Sequence, residues 1–299
     1  MNSILRLYFK GVAMGAADIV PGVSGGTIAL ISGIYEELIF TLKNINLSLL
    51  KTLFKDGFKV FWKSLNGNFL SVLLLGIASS VILLAQVIVF LLENHEFKIW
   101  GFFFGLIISS AFLIIKDVNP LNTMQIIWIL SGIVIAALIS LSNTTQIPDT
   151  DIYIFLTGSI AITAMILPGI SGSFILLLLS KYEYIITAIK EFNIRTLLVF
   201  ALGCIFGLII FSRILHFLFQ NYKMNLLSLL SGFLIGSLIK IWPFRKALET
   251  RINSDGMEEA ITSQPIIPNM EYQEELIFFV LFTLIGYFLI SVIQKKSIS

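Results

Sequence analysis

The chain has 299 residues, 57% of them hydrophobic and 13% charged, against roughly 45–50% apolar and about 25% charged in an average soluble domain. That balance identifies a polytopic membrane protein. A formal net charge of +2 does not point to nucleic acid, the single Cys204 excludes an internal disulfide and a cysteine-held metal cluster, and His95 and His216 are too few for a histidine-rich metal site; no cofactor and no bound metal are expected.

The N-terminal stretch MNSILRLYFKGVAMG has no clear apolar core followed by a small-residue cleavage site, and it reads as mature sequence rather than a signal peptide. Residues 8–42 form a segment of moderate apolarity broken by PGVSGG at 21–26. Two conformations fit such a segment: a single span kinked at the break, or a re-entrant hairpin of two half-helices turning at membrane depth. Non-helical backbone at that depth is tolerated only where it is buried in protein or lines a cavity. Residues 43–68 interleave Lys43, Lys51, Lys55, Lys59 and Lys63 with Phe54, Phe58, Phe61 and Trp62, which predicts a basic amphipathic helix lying on an anionic membrane face.

Spans are predicted at 69–92, 98–115 and 123–142, each near the roughly 20 apolar residues that cross a bilayer. A second broken segment, 151–190, carries PGISGS at 168–173, and spans at 196–219, 225–242 and 275–293 follow. Between the last two, residues 244–273 are polar, contain Pro265 and Pro268, and predict an extramembrane loop. Gly101/Gly105, Gly203/Gly207 and Gly232/Gly236 have the spacing that lets helix backbones approach closely in lipid, a packing role.

The two broken segments are copies. PGVSGGTIALISGIYEELI at 21–39 matches PGISGSFILLLLSKYEYII at 168–186 in nine of nineteen positions at an offset of 147. The next two spans repeat at an offset of 127, with Gly76 matching Gly203, Phe90 matching Phe217, Asn94 matching Asn221 and Gly105 matching Gly232. The basic linker accounts for the change of offset. Two repeats result, 1–145 and 146–299, each a motif followed by three spans. Positive charge favours the hairpin, which keeps Arg6, Lys10 and the five linker lysines on one side; with both termini inside, eleven Lys/Arg lie inside, eight outside and Arg213 within a span. Three spans per repeat is an odd number, so the second copy is upside down relative to the first. The expected fold is an all-α polytopic membrane protein of two inverted repeats, each a re-entrant helical hairpin with a Pro-Gly-x-Ser-Gly turn followed by three transmembrane helices, which is a transporter architecture.

The turns carry the chemistry of an anion site. Half-helix N-termini present unpaired N–H groups and a positive dipole end, and glycines admit close approach of a ligand to backbone. The candidate phosphate-binding residues are Gly22, Ser24, Gly25, Gly26 and Thr27 in the first copy and Gly169, Ser171, Gly172 and Ser173 in the second, with Pro21 and Pro168 shaping the turns. The competing reading is a Pro-Gly kink whose serines rebond the freed carbonyls; the presence of two copies in matching places favours the site. Ionisable residues at membrane depth are expensive, which makes Asp18, Glu36, Glu37 and Glu183 candidates for coupling to protons or another ion, with interfacial placement the alternative for the glutamates. Asp18 corresponds to Met165, so the copies are not equivalent. Arg213, in LIIFSRILHFLF, corresponds to Gln86. Its guanidinium suits bidentate binding of phosphate, and its long stem also suits snorkelling to the interface. His216 lies on the same face and is a weaker candidate for proton relay.

ADIVPGVSGGTIALISGIYEELI together with LPGISGSFILLLLSKYEYI resembles the bacterial polyprenyl-phosphate transporter family, over essentially the whole chain. The resemblance implies a lipid flippase rather than an enzyme. It would return undecaprenyl phosphate from the outer to the inner leaflet of the cytoplasmic membrane, for reuse in peptidoglycan and teichoic acid assembly. It implies a polyprenyl phosphate lipid as partner and Asp18, Pro21, Gly22, Ser24, Gly25, Gly26 and Thr27 with Pro168, Gly169, Ser171, Gly172 and Ser173 as the motif positions. Ser173 and Phe174 replace Gly26 and Thr27 in the second copy, which weighs against equal roles for the two turns. Read without the resemblance, the residues also admit an ion-coupled transporter of a soluble anionic solute. A membrane phosphatase would need a nucleophile with an acid/base partner in reach, and neither histidine sits in such a pattern; a purely structural role leaves the duplicated turns unexplained.

Overall fold

The structure is a computed structural model and describes residues 3–20, 22–252 and 258–298. α1 (Ser3–Ile19) is followed by a turn and by α2 (Gly25–Ile31), which packs against α1. The chain breaks again at 32–34, and α3 (Tyr35–Lys43) leaves at 117° to α2. The second copy repeats this in α9 (Asp151–Ile166), α10 (Gly172–Leu178) and α11 (Tyr182–Lys190), with 107° between the last two. The single return arm expected after each turn is therefore two short helices. The cause is shared: Gly33 and its counterpart Ser180 both stand at positive φ, +74° and +52°, a conformation that ends a helix.

The basic linker is also divided. α4 (Leu47–Lys55) and α5 (Phe58–Ser64) are separated by Asp56 and Gly57, and Asn46 caps α4 by accepting from the Leu49 N–H at 2.9 Å. The lysines of both helices are exposed, and so are Leu47, Phe54 and Phe58. Leu49 is buried, and the apolar side chains left exposed suit helices lying on a bilayer.

Among the described residues six helices are long and apolar enough to cross a membrane: α6 (Gly67–Asn94), α7 (Glu96–Asp117), α8 (Thr123–Leu141), α12 (Ile194–Asn221), α13 (Lys223–Ile241) and α14 (Gln273–Ile298). They coincide with the six predicted spans. In α7 and α13, 56% of the apolar window is buried, against 17–22% in the others, so these two form the centre and pack on each other. Around them contacts come in matched pairs: α1 on α6 and α9 on α12, α8 on α13 and α14 on α7. The glycines explain how. A Cβ on Gly76 would stand 2.3 Å from the Tyr8 carbonyl oxygen, and one on its counterpart Gly203 2.1 Å from that of Phe155. Likewise Gly105 faces Thr283 O at 1.9 Å and Gly232 faces Ile129 O at 2.2 Å.

The polar segment 244–273, expected as an extramembrane loop, carries a β-hairpin. β1 (Arg245–Ile252) and β2 (Glu258–Pro265) pair antiparallel. RKALETRI and EEAITSQP carry too few apolar residues for alternation to announce a strand. Trp242 Nε1 donates to Ile266 O at 2.9 Å, and the rings of Trp242, Phe244, Phe104 and Phe279 cluster beneath the hairpin, tying its base to α7 and α14.

Candidate functional site

The two turns share a backbone conformation. Gly22 and Gly169, 147 positions apart, have φ of +85° and +84°, a region that costs an L side chain roughly 1–2 kcal/mol. Pro21 lies outside the described residues; Pro168 is buried.

The first turn is occupied by its own chain. Asp18 Oδ1 accepts from the Gly25 N–H at 2.7 Å, and a Cβ on Gly25 would meet that carboxylate at 2.5 Å. The Ser24 hydroxyl accepts from the Gly26 N–H at 3.1 Å and donates to Met165 O at 2.8 Å. Tyr35 OH donates to Ile166 O at 3.1 Å, and Thr27 Oγ1 accepts from the Gly169 N–H at 3.0 Å. Met165 and Ile166 are the last residues of α9, where helix carbonyls lack intrahelical partners. The first motif thus caps the end of α9 and clasps the second motif. Ser24 and Thr27 have 0% exposure, so both hydroxyls belong to the clasp. Gly26 packs in it too, since a Cβ there would lie 2.3 Å from Ile166 O.

The second turn is built differently. Ser171 and Ser173 hold their Oγ atoms 2.7 Å apart, and Ser171 makes no side-chain cap to α10. Ser171 is buried and Ser173 half-buried. Gly172 packs on α9, with Ala161 O 2.8 Å from where its Cβ would be. Helix α13 passes both turns: Gly169 abuts Phe233 and Ser237, and Gly22 abuts Lys240 and Ile241. Lys240 is half-buried, and its Nζ sits 4.1 Å from the centre of the Phe174 ring, one residue beyond Ser173. Sequence reasoning did not single out Lys240, which falls inside the span expected at 225–242. Its signal was the repeat itself, which places Leu113 at the matching position.

The other candidates are not drawn together. Glu36 is exposed and pairs with Lys223 Nζ at 2.6 Å; Glu37, also exposed, accepts from Asn66 Nδ2 at 3.0 Å; Glu183 is exposed in the first turn of α11. Of the four carboxylates named as coupling candidates, Asp18 accepts from a backbone N–H of the first turn. Arg213 lies on an exposed face of α12 with Ile210, Ile214 and Phe217, and no hydrogen bond or ion pair among the described residues joins it to either turn. His216 meets the Phe40 ring at 5.7 Å between centroids. Among the described residues no group of three His, Cys, Asp or Glu is placed to hold a metal ion.

Comparison with known proteins places this arrangement in context. Residues 14–259 match the family model described as VCA0040-like, undecaprenyl phosphate translocase-like. A polyprenyl-phosphate transporter of Vibrio cholerae serotype O1 is 42% identical over 264 residues, covering 88% of this chain and 86% of the relative. A polyprenyl-phosphate transporter of Staphylococcus aureus is 34% identical over 252 residues, covering 78% of this chain and 84% of that one. No solved structure matches significantly.

Proposed function

The chain belongs to the undecaprenyl phosphate translocase-like family, and from that membership we propose that it carries a polyprenyl phosphate across the bilayer. The direction is from the outer to the inner leaflet of the bacterial cytoplasmic membrane, returning the lipid carrier for synthesis of cell-envelope polymers. The observation that carries this reading is the meeting of two broken segments, joined by hydrogen bonds from Ser24 and Tyr35 and to Thr27, beside a helix that supplies a cation. A phosphate monoester on a long apolar tail needs a polar path for its head group alone; the tail stays in lipid.

The halves, 1–145 and 146–299, are inverted repeats in this reading. Three features support it: the paired helix contacts, the shared positive φ values at offset 147, and the Glu36–Lys223 ion pair, which sets the start of α13, where the chain turns from α12, beside the start of α3 as an inverted order requires. Each broken segment is a re-entrant hairpin. In support, α1 packs on α2, Lys10 Nζ donates to Ser32 O at 2.6 Å, and Asn66, at the start of α6, donates to Glu37 and Thr41. Both ends of the segment and the start of the first span thereby share one level. The excess of Lys/Arg favours a cytoplasmic side for that level and for both termini. Transport is a rocking of one half against the other about the clasp. Asp18 is the coupling residue, because protonating it weakens its hold on the Gly25 N–H.

The test uses purified protein in liposomes with a polyprenyl phosphate in one leaflet and a membrane-impermeant probe of head-group accessibility. Transfer that depends on the protein and spares neutral polyprenol is expected. Uptake of soluble phosphate without lipid transfer would overturn the reading in favour of a soluble anion transporter.

A further inference from the structure

We propose that Lys240 is the cation that receives the phosphate head group, in a site bounded by Phe174, Ser173 and the Gly22 turn. The proposal rests on the transport reading above and says which residue meets the substrate. Four observations point to this place. Lys240 is half-buried in the last turn of a helix whose window is among the most buried of the six, and no carboxylate pairs with it among the described residues. A cation so placed calls for an anion that the protein does not supply.

Its ammonium is held instead on the face of Phe174 at 4.1 Å, a contact an arriving phosphate outcompetes, because a cation–ring attraction is weaker than a charge-assisted hydrogen bond. Ser173, next to Phe174, is half-buried and bonded only to the neighbouring Ser171 hydroxyl among the described residues, so it can turn a hydroxyl to a ligand without uncapping anything. The stem of Lys240 runs past Gly22, whose Cβ would stand 3.2 Å from Cγ. A side chain at 22 would crowd the lysine, and the absence of one leaves the stem free to swing from the ring toward the turn.

The alternatives lack one of these features. Ser24 and Thr27 are buried in the clasp, and Arg213 is not joined to either turn. In the proposed topology α13 ends at the outer face, so Lys240 stands where lipid from the outer leaflet is first met. The ligand chemistry is a phosphate monoester or inorganic phosphate, and the experiment separates the two.

Thermal unfolding of the detergent-solubilised protein would be followed with added polyprenyl phosphate, neutral polyprenol or inorganic phosphate, for wild type, Lys240→Met and Lys240→Arg; transfer in liposomes would be measured in parallel. Wild type is expected to be stabilised by polyprenyl phosphate and not by polyprenol. Lys240→Met should weaken that response at least tenfold in lipid concentration, and Lys240→Arg should keep most of it. Should Lys240→Met fail to fold without ligand, Lys240→Gln replaces it. A Lys240→Met protein that responds to polyprenyl phosphate as wild type does would overturn the assignment of Lys240, while leaving the transport reading intact if both proteins move lipid. Stabilisation of wild type by inorganic phosphate alone, lost in Lys240→Met, would support the anion site and overturn the lipid reading.

Discussion

Thr27 carries a hydroxyl whose partner, the N–H of Gly169, is 142 residues away, and both atoms are buried. Removing the acceptor leaves a buried donor unsatisfied, which costs about 1–3 kcal/mol. Thr27→Val keeps the shape and should lower the thermal stability of the purified protein by that amount, whereas Ser131→Ala, whose exposed hydroxyl bonds only its own helix, should leave it within about 0.5 kcal/mol. A Thr27→Val protein as stable as wild type would show that the clasp contributes little. The glycine-rich turn marked this residue as a candidate, although the repeat places Phe174 at the matching position; its role was not legible. A hydroxyl beside a glycine-rich turn reads equally as ligand or as cap, and only the fold brings the end of α9 to it. Asp18 shows the same limit. Its proximity to the turn was plain in the sequence, but its use as the acceptor for Gly25 depends on the angle between α1 and α2, which is set by a turn that the residue pattern marks and does not measure.

At the scale of elements, the six spans were legible almost to their ends, because hydrophobic length is the strongest signal a membrane chain carries. The second break in each motif was not, since Ser180 gives no sign of positive φ. The glycine crossings were legible as packing, and their partners were not. Gly105→Ala tests the closest of them. Its Cβ would lie 1.9 Å from the Thr283 carbonyl oxygen, backbone on backbone, so α7 and α14 must separate. Overpacking of this kind costs about 1–3 kcal/mol, and the yield of folded protein should drop with it. Gly236→Ala, 2.6 Å from Ile133 O, should be milder in the same unfolding assay. Equal stability of both variants and wild type would mean that these helices are not held at the spacing described. The linker offers a second prediction at this scale. Phe54 is 87% exposed on α4, so a tryptophan placed there should be quenched by nitroxide-labelled lipid tails more strongly than one at Lys55. The reverse order would lift α4 off the bilayer.

The whole molecule is where charge, repeat and packing have to agree. In the proposed topology an odd number of spans in each half makes the matched motifs face opposite sides, and position, rather than residue type, is the discriminating readout. In a cysteine-free background made by replacing Cys204, single cysteines at Lys10 and Lys59 should be labelled by an impermeant maleimide from the same side of sealed vesicles, because a hairpin returns the chain to its origin. Cysteines at Lys55 and Lys190, in the linker after the first motif and at the end of α11 after the second, should be labelled from opposite sides. All four positions are solvent-accessible or partly so, so labelling reports sidedness rather than burial. Labelling of Lys10 and Lys59 from opposite sides would convert each motif into a crossing, giving eight spans, an even number per half, and parallel repeats. That arrangement would separate the start of α3 from the end of α12, which the Glu36–Lys223 pair and the Tyr35–Phe219 ring contact hold together. The proposed inverted order keeps those contacts and would bring the two turns together from opposite sides, giving a charged head group a protein-lined crossing point where neither half alone provides one.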